Sequence, residues 1–205
     1  MLPHPVGDFV TSKVSLIEVY GTAHDPRMAE RQLAGMIALG AERTIDQDPS
    51  FAIRIMVDIA LMALSPAVNA PTTAVQVIDH LEDVLRLIGT HDLDGWLCRR
   101  DELGRLTLVG PAPDWEQFLS LGVTEIRMYG GESIQVVKRL RAMLEGLADV
   151  VRPEHRLAVA GELASLEATV FEHFADSPDL GRAHVPDQRG WVGPSRSPTV
   201  CVQAG

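Results

Sequence analysis

The chain has 205 residues, 46% of them hydrophobic, with a net charge of −10 and a pI near 5.1. That is enough apolar material for one large domain, or a domain with a small appendage. The acidic balance sets nucleic acid aside as a partner, no stretch reaches the ~18 consecutive apolar residues of a membrane span, and the start Met1-Leu2-Pro3-His4-Pro5 lacks the basic and apolar regions of a signal peptide.

Val6–Val10 and Leu16–Val19 read as two short strands, an N-terminal hairpin over 6–19. Its Gly7-Asp8-Phe9-Val10 resembles the hairpin of biotinyl and lipoyl barrels. There is no Met-Lys-Met attachment site, so no such carrier is expected. Asp25-Pro26 carries the N-cap and first-turn signal of a helix through about Met36. Asp48-Pro49 repeats that signal. From Phe51 to Leu64 almost every residue is apolar, which predicts a core helix, since fourteen residues are too short to cross a bilayer that needs about 20. Its exceptions, Arg54 and Asp58, stand one turn apart on one face, as a buried pair or a polar edge. Ser65-Pro66 ends the helix.

The next helix starts near Pro71. Ala74, Ile78, Leu81, Leu85 and Ile88 mark its inner face, and Glu82 with Arg86 form a pair on its wet face. His80 lies beside Asp79, Glu82 and Asp83, but on a helix these point mostly outward, so no metal is expected there. Trp96–Arg100 and Arg105–Val109 predict a hairpin closed by Asp101-Glu102-Leu103-Gly104. Its Arg99, Arg100 and Arg105 read as a solvated edge before they read as an anion or lipid site. Asp114 and Gln117 have capping-box spacing and open a helix to about Met128, with Trp115, Phe118, Leu119, Gly122 and Ile126 inward. Ser133 caps a helix to about Val150. Pro153 starts a last one to about Phe174, with Leu157, Leu163, Leu166 and Val170 as its apolar line. The fold class is α+β and predominantly helical: five or six helices and two small hairpins in a domain over 1–175, with a helical core from 25. From Asp176 to the end, periodicity is lost and a disordered tail is expected.

Gly40-x-Glu42-Arg43-Thr44-x-x-Gln47-Asp48-Pro49, then Asp58, Ala60, Leu64-Ser65-Pro66, Asn69 and Pro71-x-Thr73-Ala74 resemble the signature of a bacterial predicted membrane protein family, domain of unknown function 2254. Glu125-Ile126-Arg127-x-Tyr129-Gly130 and Gln135-Val136 match it too. The resemblance covers most of 6–150. It implies hydrophobic spans ahead of an extramembrane region, and so membrane association. This chain alone is expected to be soluble and cytoplasmic. One departure is Asn69-Ala70-Pro71, where the family reads Asn-Asp-Pro. Ala70 cannot cap the following helix, at a cost of about 1 kcal/mol.

The dense polar cluster is Glu42, Arg43, Thr44, Asp46, Gln47 and Asp48, with Arg54 and Asp58 in the helix and Ser65, Asn69, Thr72 and Thr73 in the connection. In a structural reading, Arg43 and Asp48 lock the loop. In a functional one, Arg43 and the free N–H groups at Pro71 bind a small anion, and Asp46 or Asp48 acts as a base or holds a cation. Two cysteines, Cys98 and Cys201, give neither a disulfide framework nor zinc spacing. No P-loop, nucleophile elbow or His-Glu-x-x-His is present, and no cofactor is indicated. A non-enzymatic module binding a ligand, ion or partner is therefore favoured. A metal-dependent hydrolase using Asp46, Asp48 and Arg43 is the alternative, and a homo-oligomeric assembly domain the third.

Overall fold

The computed structural model describes residues 1–20, 32–33 and 35–189. The chain divides into two compact units, Met1–Ala52 with Leu93–Gln117, and Ile53–Asp92 with Phe118–Gly205. The architecture is mostly helical α+β, with six α-helices and one two-stranded antiparallel sheet among the described residues.

In the first unit, β1 (Trp96–Arg100) pairs with β2 (Leu106–Pro111) in the register Trp96↔Pro111 to Arg100↔Leu106. The turn closes as its residues require. The Asp101 carboxylate accepts the amides of Leu103 and Arg105 and the Arg105 guanidinium, and Gly104 takes φ +77°. Those bonds, led by the Arg105 amide, hold the Asp101 carboxyl below its ordinary value. The N-terminal hairpin expected over 6–19 forms no ladder. Gly7 and Lys13 both take left-handed φ, so the segment bends where a strand would run straight. Its backbone bonds go elsewhere: Met1 and Glu18 exchange two, and the Leu2 amide donates to the Val109 carbonyl beside β2. The helix expected over 25–36 lies mostly outside the described residues.

α1 (Pro49–Leu64) bridges the division in sequence. It starts as Asp48-Pro49 dictates: Asp48 Oδ1 accepts the Phe51 amide at 3.1 Å. Its buried face is Ile53, Val57, Ala60 and Ala63. The core helix expected here buries one face, while Ile55, Ile59 and Met62 are exposed. A run that is apolar on every side specifies a helix without saying how many of its faces meet neighbours.

The second unit is built on α4 (Ile134–Val150), which packs against α2 (Pro71–Gly89) and α5 (Arg156–Phe174). Its Val136, Val137, Leu140, Met143, Leu144 and Leu147 are buried, facing Ile78, Leu81 and Leu85 of α2 and Val159, Leu166 and Val170 of α5 in type and burial. α3 (Trp115–Gly130) adds Leu119, Val123 and Ile126. Its capping box is present in both directions, with the Gln117 amide on Asp114 Oδ1 at 2.8 Å and the Asp114 amide on Gln117 Oε1 at 3.1 Å. The turn from α4 to α5, which includes a 3-10 segment at Pro153–His155, is latched to the end of α2. The Gly89 carbonyl accepts the Arg152 amide at 3.1 Å and faces His155 Nδ1 at 3.0 Å, so Nδ1 carries the hydrogen.

A buried ion network crosses α2 and α4. Arg139 is buried and donates to Glu82 Oε2 at 2.5 Å and Asp79 Oδ1 at 2.6 Å, while Arg86 donates to Glu82 Oε1 at 2.8 Å. The Glu82–Arg86 pair therefore forms as spaced, but Glu82 faces inward, not to solvent. Gly146 makes room for it, since a Cβ there would stand 2.5 Å from Arg86 Nη2.

The expected tail is revised at its start. Residues 176–189 are described and include α6 (Leu180–Ala183), whose carboxyl-side neighbour Asp187 meets the buried Lys138 ammonium at 3.6 Å. Burying that ammonium requires an acidic partner, and the partner comes from the stretch whose composition reads as disordered. The rest of the tail lies outside the described residues. Leu157 is corrected as well: it is 81% exposed, because the buried face of α5 is Val159, Leu166, Thr169 and Val170.

Arg139→Ala leaves the buried Glu82 carboxylate with Arg86 as its charged partner and takes away the bond from α4. It should lower stability by about 1.5–3 kcal/mol, read as a fall in the urea midpoint of helical circular dichroism.

Candidate functional site

The polar residues singled out in the sequence separate into three places. In the first unit, Glu42, Thr44, Asp46 and Gln47 are exposed, and only Asp48 is buried. Both Asp48 oxygens are engaged. Oδ1 caps α1 at Phe51, and Oδ2 accepts Arg43 Nε at 2.9 Å and Nη2 at 2.6 Å. The Arg43 guanidinium also lies 4.9 Å from the centre of the Phe51 ring. Gly7 closes over this pair with φ +90°, and a Cβ on it would stand 2.1 Å from Asp48 Oδ2. Gly7 thus packs against the ion pair, while Phe9 of the same stretch stands in solvent and no strand forms.

Arg54 and Asp58 form the second place. Arg54 Nε lies 3.0 Å from Asp58 Oδ1, at a side chain 57% exposed, and its Nη1 and Nη2 reach Glu125 of α3. Of the two readings, this is the polar edge. The Arg54 hydrogen bond holds the Glu125 carboxyl below its ordinary value, and Glu125 in turn raises the Arg54 guanidinium.

The third place is the connection between α1 and α2. The Ser65 hydroxyl donates to the Met62 carbonyl at 2.7 Å and finishes α1. Asn69 takes φ +45°, and the Ala70 amide returns to the Ala63 carbonyl at 2.7 Å, so the connection folds back tightly. α2 then starts with Pro71 and no side-chain cap, as Ala70 predicts. Thr72 and Thr73 are exposed on its first turn. The Thr72 hydroxyl reaches Gln135 Oε1 at 3.5 Å, across 63 residues of sequence. Ser133 precedes α4, but its side chain makes no cap either.

These two uncapped helix starts line one open cleft of about 400 Å³. Asn69 and Pro71 belong to one start, and Ser133, Ile134 and Gln135 to the other. Leu64 and Tyr129 supply an apolar and aromatic wall, and Glu132 stands on the rim. An uncapped helix start offers backbone N–H groups and the positive end of the helix dipole; at α2, where Pro71 has no N–H and the Thr73 amide donates to the Ala70 carbonyl at 3.0 Å, the group on offer is the Thr72 amide. Two of them on one cleft give a site suited to negative or hydrogen-accepting groups. Sequence reasoning found the α2 start and placed Arg43 beside it, but Arg43 is committed to Asp48 in the other unit. It did not find the α4 start, Tyr129 or Gln135 as site residues. The missing signal was available only as two motif stretches far apart in the chain. Arg139 and Lys138 gave none, because ionised residues on a helix read as solvated until burial is known. Among the described residues no three His, Cys, Asp or Glu side chains gather as a metal site requires, and no helix is long and apolar enough to cross a membrane.

Residues 1–146 match the model of a family described as "Predicted membrane protein (DUF2254)". Uncharacterized proteins of Mycobacterium bovis and of Mycobacterium tuberculosis H37Rv are each 39% identical to the chain over 144 residues. The match takes in 70% of this chain and 27% of each relative, so the chain spans about a quarter of their length. No solved structure matches it.

Arg43→Ala takes both guanidinium bonds from the buried Asp48 carboxylate and should cost about 1.5–3 kcal/mol, seen as a lower melting temperature. Gly7→Ala forces both a strained φ and a steric conflict with Asp48, a loss of about 1–3 kcal/mol, with faster hydrogen exchange at the Phe51 amide. Ala70→Asp supplies the absent cap of α2 and should add about 1 kcal/mol, read in the same melting experiment.

Proposed function

We propose a binding role for this chain, which belongs to the predicted membrane protein family known as domain of unknown function 2254. It is a non-enzymatic extramembrane module that takes a small anionic or hydrogen-accepting ligand in the cleft between the starts of α2 and α4. In a full-length relative, occupancy of that cleft would be reported to the membrane part of the protein.

One observation carries the reading. Asn69 and Pro71, Tyr129 and Gln135 all belong to the stretches that carry the family resemblance, and the fold gathers them at one cleft. Neither helix start there satisfies its N–H groups with its own side chain. A capped start would be worth about 1 kcal/mol each, so this arrangement forgoes stability at the place where an acceptor from outside could supply it. The rim carboxylate of Glu132 favours a ligand that also offers a positive or hydrogen-donating group. The hydrolase alternative has less support, because capping and the Arg43 pair already occupy both oxygens of Asp48.

The test is a titration of the chain with phosphate and, separately, with acetate, followed by backbone amide resonances. Saturable shifts are expected at Thr72, Gln135 and Val136. Ser133→Asp places a carboxylate at the α4 start, so it should raise the melting temperature and abolish those shifts. Amides that stay fixed in both titrations would remove the cleft from consideration as an anion site.

A further inference from the structure

We infer that the free edge of β1 takes an extended acidic segment of a partner protein as a third strand. The inference is independent of the cleft, because β1 belongs to the first unit. It starts from the direction of the backbone groups. In an antiparallel pair, residues alternate between turning their N–H and C=O toward the neighbouring strand and away from it. Gly95 turns inward, its carbonyl accepting the Ala112 amide at 2.9 Å. By alternation Leu97 and Arg99 turn inward too, and Trp96 and Cys98 turn out. The far side of the hairpin agrees: Val109, the partner of Cys98, gives its carbonyl to the Leu2 amide at 2.6 Å. The Trp96 amide is accepted by Asp94 Oδ1 at 3.0 Å. Among the described residues no group bonds the Trp96 carbonyl, the Cys98 amide or the Cys98 carbonyl, and all five residues of β1 are exposed. Such groups fit one kind of occupant, another extended backbone.

The side chains select the sequence of that strand. Arg99 and Arg100 project to opposite faces at the turn end of β1. Neither meets a carboxylate among the described residues: the Arg100 guanidinium donates to the Gly104 carbonyl at 3.1 Å, and the Asp101 carboxylate is held by Arg105. Glu102 stands beyond Arg100, in the turn. At the other end Trp96 and Leu97 project to opposite faces, 55% and 37% exposed. Two successive acidic residues therefore match Arg100 and Arg99, and two successive apolar residues match Leu97 and Trp96, with one residue between them opposite Cys98. Asp94, at the Trp96 end, keeps the acidic pair to the arginine end. Antiparallel addition is the stronger per residue, so the segment reads acidic, acidic, any, apolar, apolar from its N-terminus. The arginines turn away a like basic edge and accept an acidic one. Charges elsewhere on this acidic chain are screened beyond about 8 Å at physiological salt, so the segment meets the local field of the two arginines.

The test titrates the full chain, under reducing conditions, with the peptide acetyl-Glu-Glu-Thr-Val-Val-amide. A saturable resonance shift and slower hydrogen exchange are expected at the Cys98 amide. Methylating the nitrogen of the peptide's threonine, which donates to the Cys98 carbonyl, should abolish both. Methylating the next nitrogen, which points away from β1, should leave them. A chain carrying Arg99→Glu and Arg100→Glu changes only exposed side chains, so its melting temperature should hold. Its affinity for the peptide should fall about tenfold or more, and acetyl-Lys-Lys-Thr-Val-Val-amide should bind it in exchange. A Cys98 amide that ignores the peptide, equal losses from the two methylations, or a double variant that binds as well as the parent would each overturn the pairing. Protection of the Cys98 amide that grows with chain concentration alone would assign the edge to a second copy. A response to phosphatidylglycerol vesicles without one to the peptide would assign the arginines to a lipid surface. Either result would overturn it as well.

Discussion

The second unit depends on the placement of Arg139 between Glu82 and Asp79. Glu82 is almost fully buried, and a buried carboxylate is tolerable only with a partner that satisfies it. Arg139 supplies that partner from α4, and Arg86 supplies a second from the same helix as Glu82. The pairing fixes the register of α2 against α4, which apolar contacts between Leu, Ile and Val side chains specify less sharply. Such a network adds little net stability over a well-packed apolar core. What it adds here is one preferred alignment, and with it the relation between the first turns of the two helices.

The start of α1 follows the same logic on a smaller scale. Asp48 is the buried group, its capping bond to Phe51 fixes the helix start, and Arg43 satisfies the remaining oxygen. Gly7 then lies so close that no side chain fits. The Asp48 carboxylate thus accepts three donors, one on Oδ1 and two on Oδ2. Within the polar cluster that the sequence singles out, the Arg43–Asp48 pair ties the loop before α1 to its first turn.

The cleft is the counterpart. Its helix starts are left without side-chain caps, as are the starts of α5 and α6, whereas a cap is made at two other helix starts, at Asp48 and at Asp114. The difference is local and chemical: Ala70 has no side-chain oxygen, and the Ser133 side chain makes no capping bond to its own helix. Polar groups left open on a shaped surface are where binding is usually found.

The sequence by itself determined the secondary structure that local chemistry controls. Asp48-Pro49, the Asp114–Gln117 box, the Asp101–Gly104 turn and the 3, 4 rhythm of α2 and α4 each name a specific bond or face, and each is present among the described residues. So was the family, because fixed residue types at fixed spacings survive without any knowledge of contacts. Only the tertiary structure decided what those elements met. Whether the apolar run of α1 is covered on one side or all round depends on neighbours, as does whether Lys138 and Arg139 are solvated or buried. The same holds for Asp187, which reads as tail until Lys138 is seen beneath it. Leu157 lies on the apolar line of α5 by periodicity yet stands in solvent, because a helix with apolar residues on two faces leaves the choice between them to its packing partners. The cleft was hidden for the related reason that its two rims are 63 residues apart, and the register that brings them together is set by Arg139 and Glu82, whose burial no local pattern reveals.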